Sequence, residues 1–191
     1  ALSGAMPKLV PATGGTLDVA ALADALPGAD AQRSRVGLGI IENTHVRSGG
    51  KVIELEHMLA VAKVARLADV PVHLDGARLF NAACALGVEA RQLAACAESV
   101  AFNLNKGLGA PLGAILAGPA DFIFEAVRVR QMFGGCCRPA GIPAAWCPLT
   151  LECMIGRLAA YHAPLPIIGS GLRAFPANAV APTWLVPNTS P

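Results

Sequence analysis

Only four lysines occur in the chain, Lys8, Lys51, Lys63 and Lys106, so chemistry that needs a lysine amine has few places to reside. Lys63 falls inside an amphipathic stretch and reads as part of a solvated helix face, while Lys8 and Lys51 fall in expected loops. Lys106 directly follows a short apolar run, Ser99 to Leu104, and precedes Gly107, Gly109 and Pro111. A lysine at the carboxyl end of a strand in an open α/β sheet stands where ligands bind. Glycine beside it lets a flat ligand approach the backbone. Taken alone, a surface lysine next to a turn explains the same residues.

The run His73-Leu74-Asp75-Gly76-Ala77-Arg78 is a second candidate. Asp75 ends an apolar run and should emerge on the same rim as Lys106, and Arg78 supplies a planar fork for a carboxylate or phenolate. A local Asp75–Arg78 ion pair capping the next helix is the competing explanation. Glu42-Asn43-Thr44-His45 also follows an apolar run; Asn43 could bond a ligand oxygen and His45 could stack or move a proton, or both could serve the loop itself. Gly134-Gly135-Cys136-Cys137-Arg138 offers a flexible turn with an arginine suited to an anion. Asn43, Asp75 and Lys106 at three successive strand ends are the groups that pyridoxal 5′-phosphate requires. The lysine bonds the aldehyde, and the aspartate keeps the pyridine nitrogen protonated so that the ring can absorb carbanion charge.

The elements that must position these residues alternate strand and helix. Asp18 is placed to cap a helix to about Leu26, stopped by Pro27 and Gly28. Val36 to Ile41 and Val70 to Leu74 read as strands. Glu54 to Ala68 carries Leu55, Met58, Leu59 and Ala62 at one-face helical spacing. Leu79 to Leu86 reads as a helix with Gly87 as its stop. Ser99 to Leu104 and Gly113 to Ala117 read as strands, and Pro119 suits the first turn of a helix carrying Phe122, Ile123, Ala126 and Val127. This alternation predicts an α/β fold with a mostly parallel sheet flanked by helices. Nine of the fifteen prolines lie from Pro139 onward, so Leu151 to Tyr161 is the last expected helix and the chain beyond Ala163 is expected to be irregular.

The 191 residues are 54% hydrophobic with mean hydropathy +0.51, enough for one domain with a real core. The net charge of +2 is spread along the chain, which excludes a nucleic-acid footprint. No run approaches the ~20 apolar residues of a membrane span. The first residues lack the basic start and apolar core of a signal peptide, and the chain begins with Ala1, so a native start is expected upstream. None of the six cysteines forms a CxxC pair, and no zinc-ligand spacing joins them to the four histidines. Free thiols in a reducing, cytoplasmic compartment are expected.

The runs ENTH at Glu42–His45, HLDGARLFNA at His73–Ala82 and NKGLGAPLGAILAG at Asn105–Gly118 resemble the low-specificity L-threonine aldolases. GGTLD at Gly14–Asp18 and GG-x-x-R at Gly134–Arg138 support the resemblance, which covers Gly14 to about Ile142 in order and becomes patchy to about Ala163. It implies residues 1–142 as part of a fold type I pyridoxal-phosphate large domain, 143–163 as a degraded helix region, and 164–191 as an irregular proline-rich tail. It also implies retro-aldol cleavage of L-threonine or L-allo-threonine to glycine and acetaldehyde, on a homo-oligomer built as a dimer of dimers. By motif, Lys106 resembles the lysine that bonds the cofactor and Asp75 the partner of the pyridine nitrogen. Arg78 resembles the residue near the ring hydroxyl and substrate carboxylate, and Arg138 a cofactor-side arginine near the subunit boundary. Asn43 is carried as a cofactor contact and His45 as a substrate contact.

The sequence also departs from the family. The resemblance places the family's phosphate loop and ring-stacking histidine before Gly14. Asn105 stands where serine usually precedes the lysine, Gln131 where a lysine is usual, and Cys137-Arg138-Pro139 where Met-Arg-Gln is usual. Pro143 and Pro148 fall where a long helix should run, each at a cost of ~3 kcal/mol in a helix interior. Two alternatives therefore stand beside an impaired aldolase: a non-catalytic relict, and another fold type I lyase.

Overall fold

The computed structural model describes residues 3–26 and 34–164. The chain opens with a small antiparallel hairpin, β1 (Ala12–Thr13) and β2 (Thr16–Leu17), turned by Gly14 and Gly15 at positive φ. Asp18 then caps α1 (Val19–Ala25), its Oδ1 accepting from the N–H groups of Ala20 and Ala21 at 2.9 and 3.1 Å. The expected stop at Pro27 and Gly28 lies outside the described residues.

Next come β3 (Gly39–Glu42), α2 (Leu55–Leu67), β4 (Val72–Asp75), α3 (Leu79–Leu86), the one-turn helix α4 (Ala90–Ala94) and β5 (Ser99–Asn103). β6 (Ala114–Ala117) and α5 (Ala120–Met132) follow. The sheet order is β3-β4-β5-β6; the first three strands are parallel and β6 is antiparallel to β5. The mostly parallel α/β sheet expected from the alternation is therefore present. β3 and β4 begin later than the apolar runs do, at Gly39 and Val72 in place of Val36 and Val70. Pro71 has no N–H to give to a ladder, so β4 starts at Val72, and β3 enters register with it at Gly39.

Period-two alternation in β4 points Val72 and Leu74 into the core and leaves Asp75 exposed at the strand end. Leu74 packs with Met58, Leu79, Ala82, Leu93 and Cys96, and Val72 with Leu22, Val61 and Ala65. Each fully buried large side chain of this kind contributes roughly 1.5–3 kcal/mol. Burial pushes the Cys96 thiol up from its ordinary pKa, and the Arg66 charge draws it part of the way back.

After α5 the chain is helical again across residue 143. α6 (Gly141–Cys153) runs through both prolines, and a 3₁₀ turn at Ile155–Arg157 leads into α7 (Leu158–His162). Pro143 lies in the first turn of α6, where its missing N–H is not needed. Pro148 forgoes one interior bond, to the carbonyl of Ala144. Cys147 and Leu151 on the same helix pack against the buried Leu104–Leu108–Leu158 cluster, which offsets that loss. The remainder of the tail, from residue 165, lies outside the described residues. Among the described residues no helix is long and apolar enough to cross a membrane.

Candidate functional site

Because β3, β4 and β5 are parallel, their carboxyl ends share one rim. Glu42 is in register with Asp75, and Asp75 with Ala101, so Asn43 follows β3 where β4 ends. The Asn43 N–H donates to the Asp75 carbonyl at 3.0 Å, and the Gly76 N–H to the Ala101 carbonyl at 2.8 Å. A Cβ on Gly76 would stand 3.1 Å from both the Ala101 oxygen and Leu79 Cβ, so the chain after Asp75 hugs β5. Lys106 follows β5 on the same rim, in a turn closed by Gly109 N–H to Lys106 O and Ala110 N–H to Leu104 O, both 3.0 Å. Leu104 and Leu108 on either side are buried, while Lys106 itself is exposed.

Asp75 accepts the Ala77 N–H through Oδ1 at 3.1 Å, an Asx-type turn into α3. Arg78 is the N-cap residue of α3, and its side chain does not cap the helix. Among the described residues Asp75 and Arg78 form no ion pair, so the local-pair explanation of that motif is not realised. Both groups remain available to a ligand on the rim.

Asn43, expected as a cofactor contact, is engaged within its own loop. It is 1% exposed; its Nδ2 donates to Ile53 O at 2.9 Å and lies 3.1 Å from Met58 Sδ, and its Oδ1 accepts from Ile53 N at 3.1 Å. The side chain closes the loop 43–53, with its amide nitrogen and oxygen both engaged inside that loop and against α2. His45 is half-buried in the same loop. Its Nδ1 is 2.9 Å from Ser48 Oγ, its Nε2 is 3.8 Å from Glu42 Oε2, and its ring packs on Gly15 of the hairpin. Arg138 is on another element, exposed in the turn between α5 and α6, with no ion pair among the described residues.

Three contributors were not singled out from the sequence. Thr44 is buried beside Asn43, with Oγ1 lacking any hydrogen-bond partner among the described residues. Asn81 and His162 meet behind the Lys106 turn at 3.1 Å. Asn81 lay within a quoted motif; nothing local marked His162, which is 81 residues away.

The donor set suits pyridoxal phosphate. An accessible amine, a carboxylate and a guanidinium lie about one rim, with the second Asp75 oxygen and Arg78 unpaired among the described residues. No group of three or more histidine, cysteine or acidic side chains suited to a metal occurs among the described residues.

The fold is shared with a candidate L-allo-threonine aldolase of Listeria monocytogenes, with a TM-score of 0.73 at 24% identity over 88% of this chain and 45% of that one. This is the architecture of fold type I pyridoxal-phosphate enzymes. The chain belongs to the beta-eliminating lyase family, which it matches over residues 1–182. It is 36% identical over 174 residues to low-specificity L-threonine aldolase 1 of Arabidopsis thaliana, covering 90% of this chain and 49% of the relative. Against the low specificity L-threonine aldolase of Escherichia coli K12 it is 36% identical over 151 residues, 79% of this chain and 44% of the relative. The chain thus spans about half the length of the curated relatives it matches.

Proposed function

We propose that this chain carries the lysine and aspartate of a pyridoxal-phosphate site for retro-aldol cleavage of a β-hydroxy-α-amino acid, threonine or allo-threonine, to glycine and an aldehyde. The observation that carries the reading is the emergence of Asp75 and Lys106 from the carboxyl ends of adjacent parallel strands. When bound, the cofactor supplies an electron sink for the carbanion left by Cα–Cβ cleavage. Lys106 provides the amine that holds the cofactor and yields to the substrate amine. Asp75 holds a proton at the pyridine nitrogen. Arg78, free of any ion pair among the described residues, binds the substrate carboxylate or the ring hydroxyl. Arg138 contributes positive charge on the cofactor side. His45, with Nδ1 engaged by Ser48 and Nε2 3.8 Å from the Glu42 carboxylate, is the substrate contact in this reading. Asn43 acts as a positioning residue that fixes the strand end beside Asp75, in place of a direct contact.

The relatives' names support the aldolase reading, and the family description supports β-elimination as the second. A homo-oligomer, a dimer of dimers, is the assembly we propose. Six unpaired cysteines support a reducing compartment, the cytoplasm.

Adding pyridoxal phosphate to the chain, reducing with borohydride and mapping the modified lysine tests the site. Lys106 should carry most of the label, and Lys106→Ala should remove it. Label spread evenly over Lys8, Lys51 and Lys63 would overturn the assignment. Acetaldehyde from threonine, against indole from tryptophan, separates retro-aldol cleavage from β-elimination.

A further inference from the structure

The turn that carries Lys106 is seated on a polar pair that joins two distant helices. Asn81 lies in the first turn of α3, and its Nδ2 is 3.1 Å from His162 Nε2 on α7. The same amide fills the space beside Gly107: a Cβ there would collide with Asn81 Oδ1 and stand 2.9 Å from Nδ2 and 3.0 Å from Cγ. Gly107 is the residue after Lys106, so the turn rests directly on the Asn81 side chain. On its apolar side the turn is held by α7 as well, because Leu104, Leu108 and Leu158 are buried in one cluster, at 0%, 2% and 0% exposure. With Asn81 donating, His162 Nε2 must accept, which places the ring proton of the neutral imidazole on Nδ1. An amide held at one end by a ring nitrogen has one orientation to present to Gly107.

We infer that Asn81 and His162 form a positioning pair for the lysine: His162 fixes the Asn81 amide, and Asn81 fixes the height and direction of the Lys106 turn above the strand ends. Neither touches the cofactor or substrate. The catalytic meaning rests on the function proposed for Lys106; the mechanical claim about the turn does not. α3 begins just after Asp75 and Arg78, so the same pair sets the spacing between the carboxylate side of the rim and the amine side.

The test uses the intact chain, with His162→Leu, His162→Gln and Asn81→Ala. The first readout is amide hydrogen exchange of residues 104–110 with no small molecule present. The second is the share of borohydride-trapped pyridoxal phosphate found on Lys106 among the four lysines. His162→Leu and Asn81→Ala should speed exchange in the turn by about fivefold, in line with the loss of one net hydrogen bond. They should also lower the share on Lys106, while exchange in β3 and β4 stays unchanged. Glutamine can accept from Asn81 through Oε1, so His162→Gln should restore both readouts. Unchanged exchange in His162→Leu, or a His162→Gln variant as loose as His162→Leu, would overturn the inference. Label spread over all lysines in the unsubstituted chain, together with exchange that responds as described, would sink the proposed function and leave the positioning pair standing.

Discussion

Truncating Asn43 to alanine should destabilise the chain well beyond the effect of removing a surface amide. The side chain is 1% exposed, and it is the partner of both backbone polar groups of Ile53, itself 7% exposed. Asn43→Ala strands a buried N–H and a buried C=O, each at a cost of about 1–3 kcal/mol. The two losses share one site and do not add fully, so a total of about 3 kcal/mol is expected, a large part of the ~5–15 kcal/mol that holds a domain together. For a chain of this length 1 kcal/mol moves Tm by about 2–4 °C, so Tm should fall by about 6–12 °C. Circular dichroism against temperature and urea measures it, with no cofactor present. Asn43→Asp should be no better near neutral pH, because a buried carboxylate faces the Ile53 carbonyl. That variant should regain stability as pH falls through its raised pKa, since the protonated acid can donate to Ile53 O. A Tm within about 2 °C of the parent for Asn43→Ala would refute the reasoning and return Asn43 to the role of a ligand contact.

Asp18→Ala removes the cap of α1, with its bonds to two N–H groups, and should cost about 0.5–2 kcal/mol by urea titration. Gly15→Ala meets both a positive φ of 84° and a Cβ position 2.7 Å from His45 Cγ; the loop should move, seen as a changed His45 ring resonance, with a loss of more than about 1 kcal/mol. At neutral pH, iodoacetamide should label the exposed Cys136, Cys137 and Cys153 well before Cys96, because burial hides that thiol and raises its pKa, and raising the pH should narrow the gap. Early labelling of Cys96, read by peptide mass mapping, would show that α4 opens readily.

Much of this fold is legible locally. Asp18 before an alanine-rich helix, Gly87 after Leu86, and glycines about a lysine at a strand end each act through neighbours in sequence. α4 is less so: its cap is Glu89 with Gln92, an uncommon form of the reciprocal capping pair, over only five residues. The persistence of α6 through Pro148 depends on packing against Leu158, which no helix propensity contains. The site divides in the same way. Asp75 and Lys106 could be placed because the parallel alternation puts strand ends together. The role of Asn43 depends on Ile53, ten residues on, and that of Asn81 on His162, beyond the reach of any spacing argument.

The reversal of direction between β5 and β6 has a bearing on how the rim assembles in time. Lys106 sits in the loop of a hairpin, residues 104–113, so its strand partners are close in the chain. Closing a loop of about ten residues takes on the order of 10–100 ns, and hairpins form in about 1–10 μs. The β4–β5 pairing that brings Asp75 alongside must wait for the crossover through α3 and α4. Contact order therefore predicts that the amine side of the rim organises first and the carboxylate side docks onto it. Pulse-labelled amide exchange during refolding would then protect Phe102 and Ile115 before Gly76.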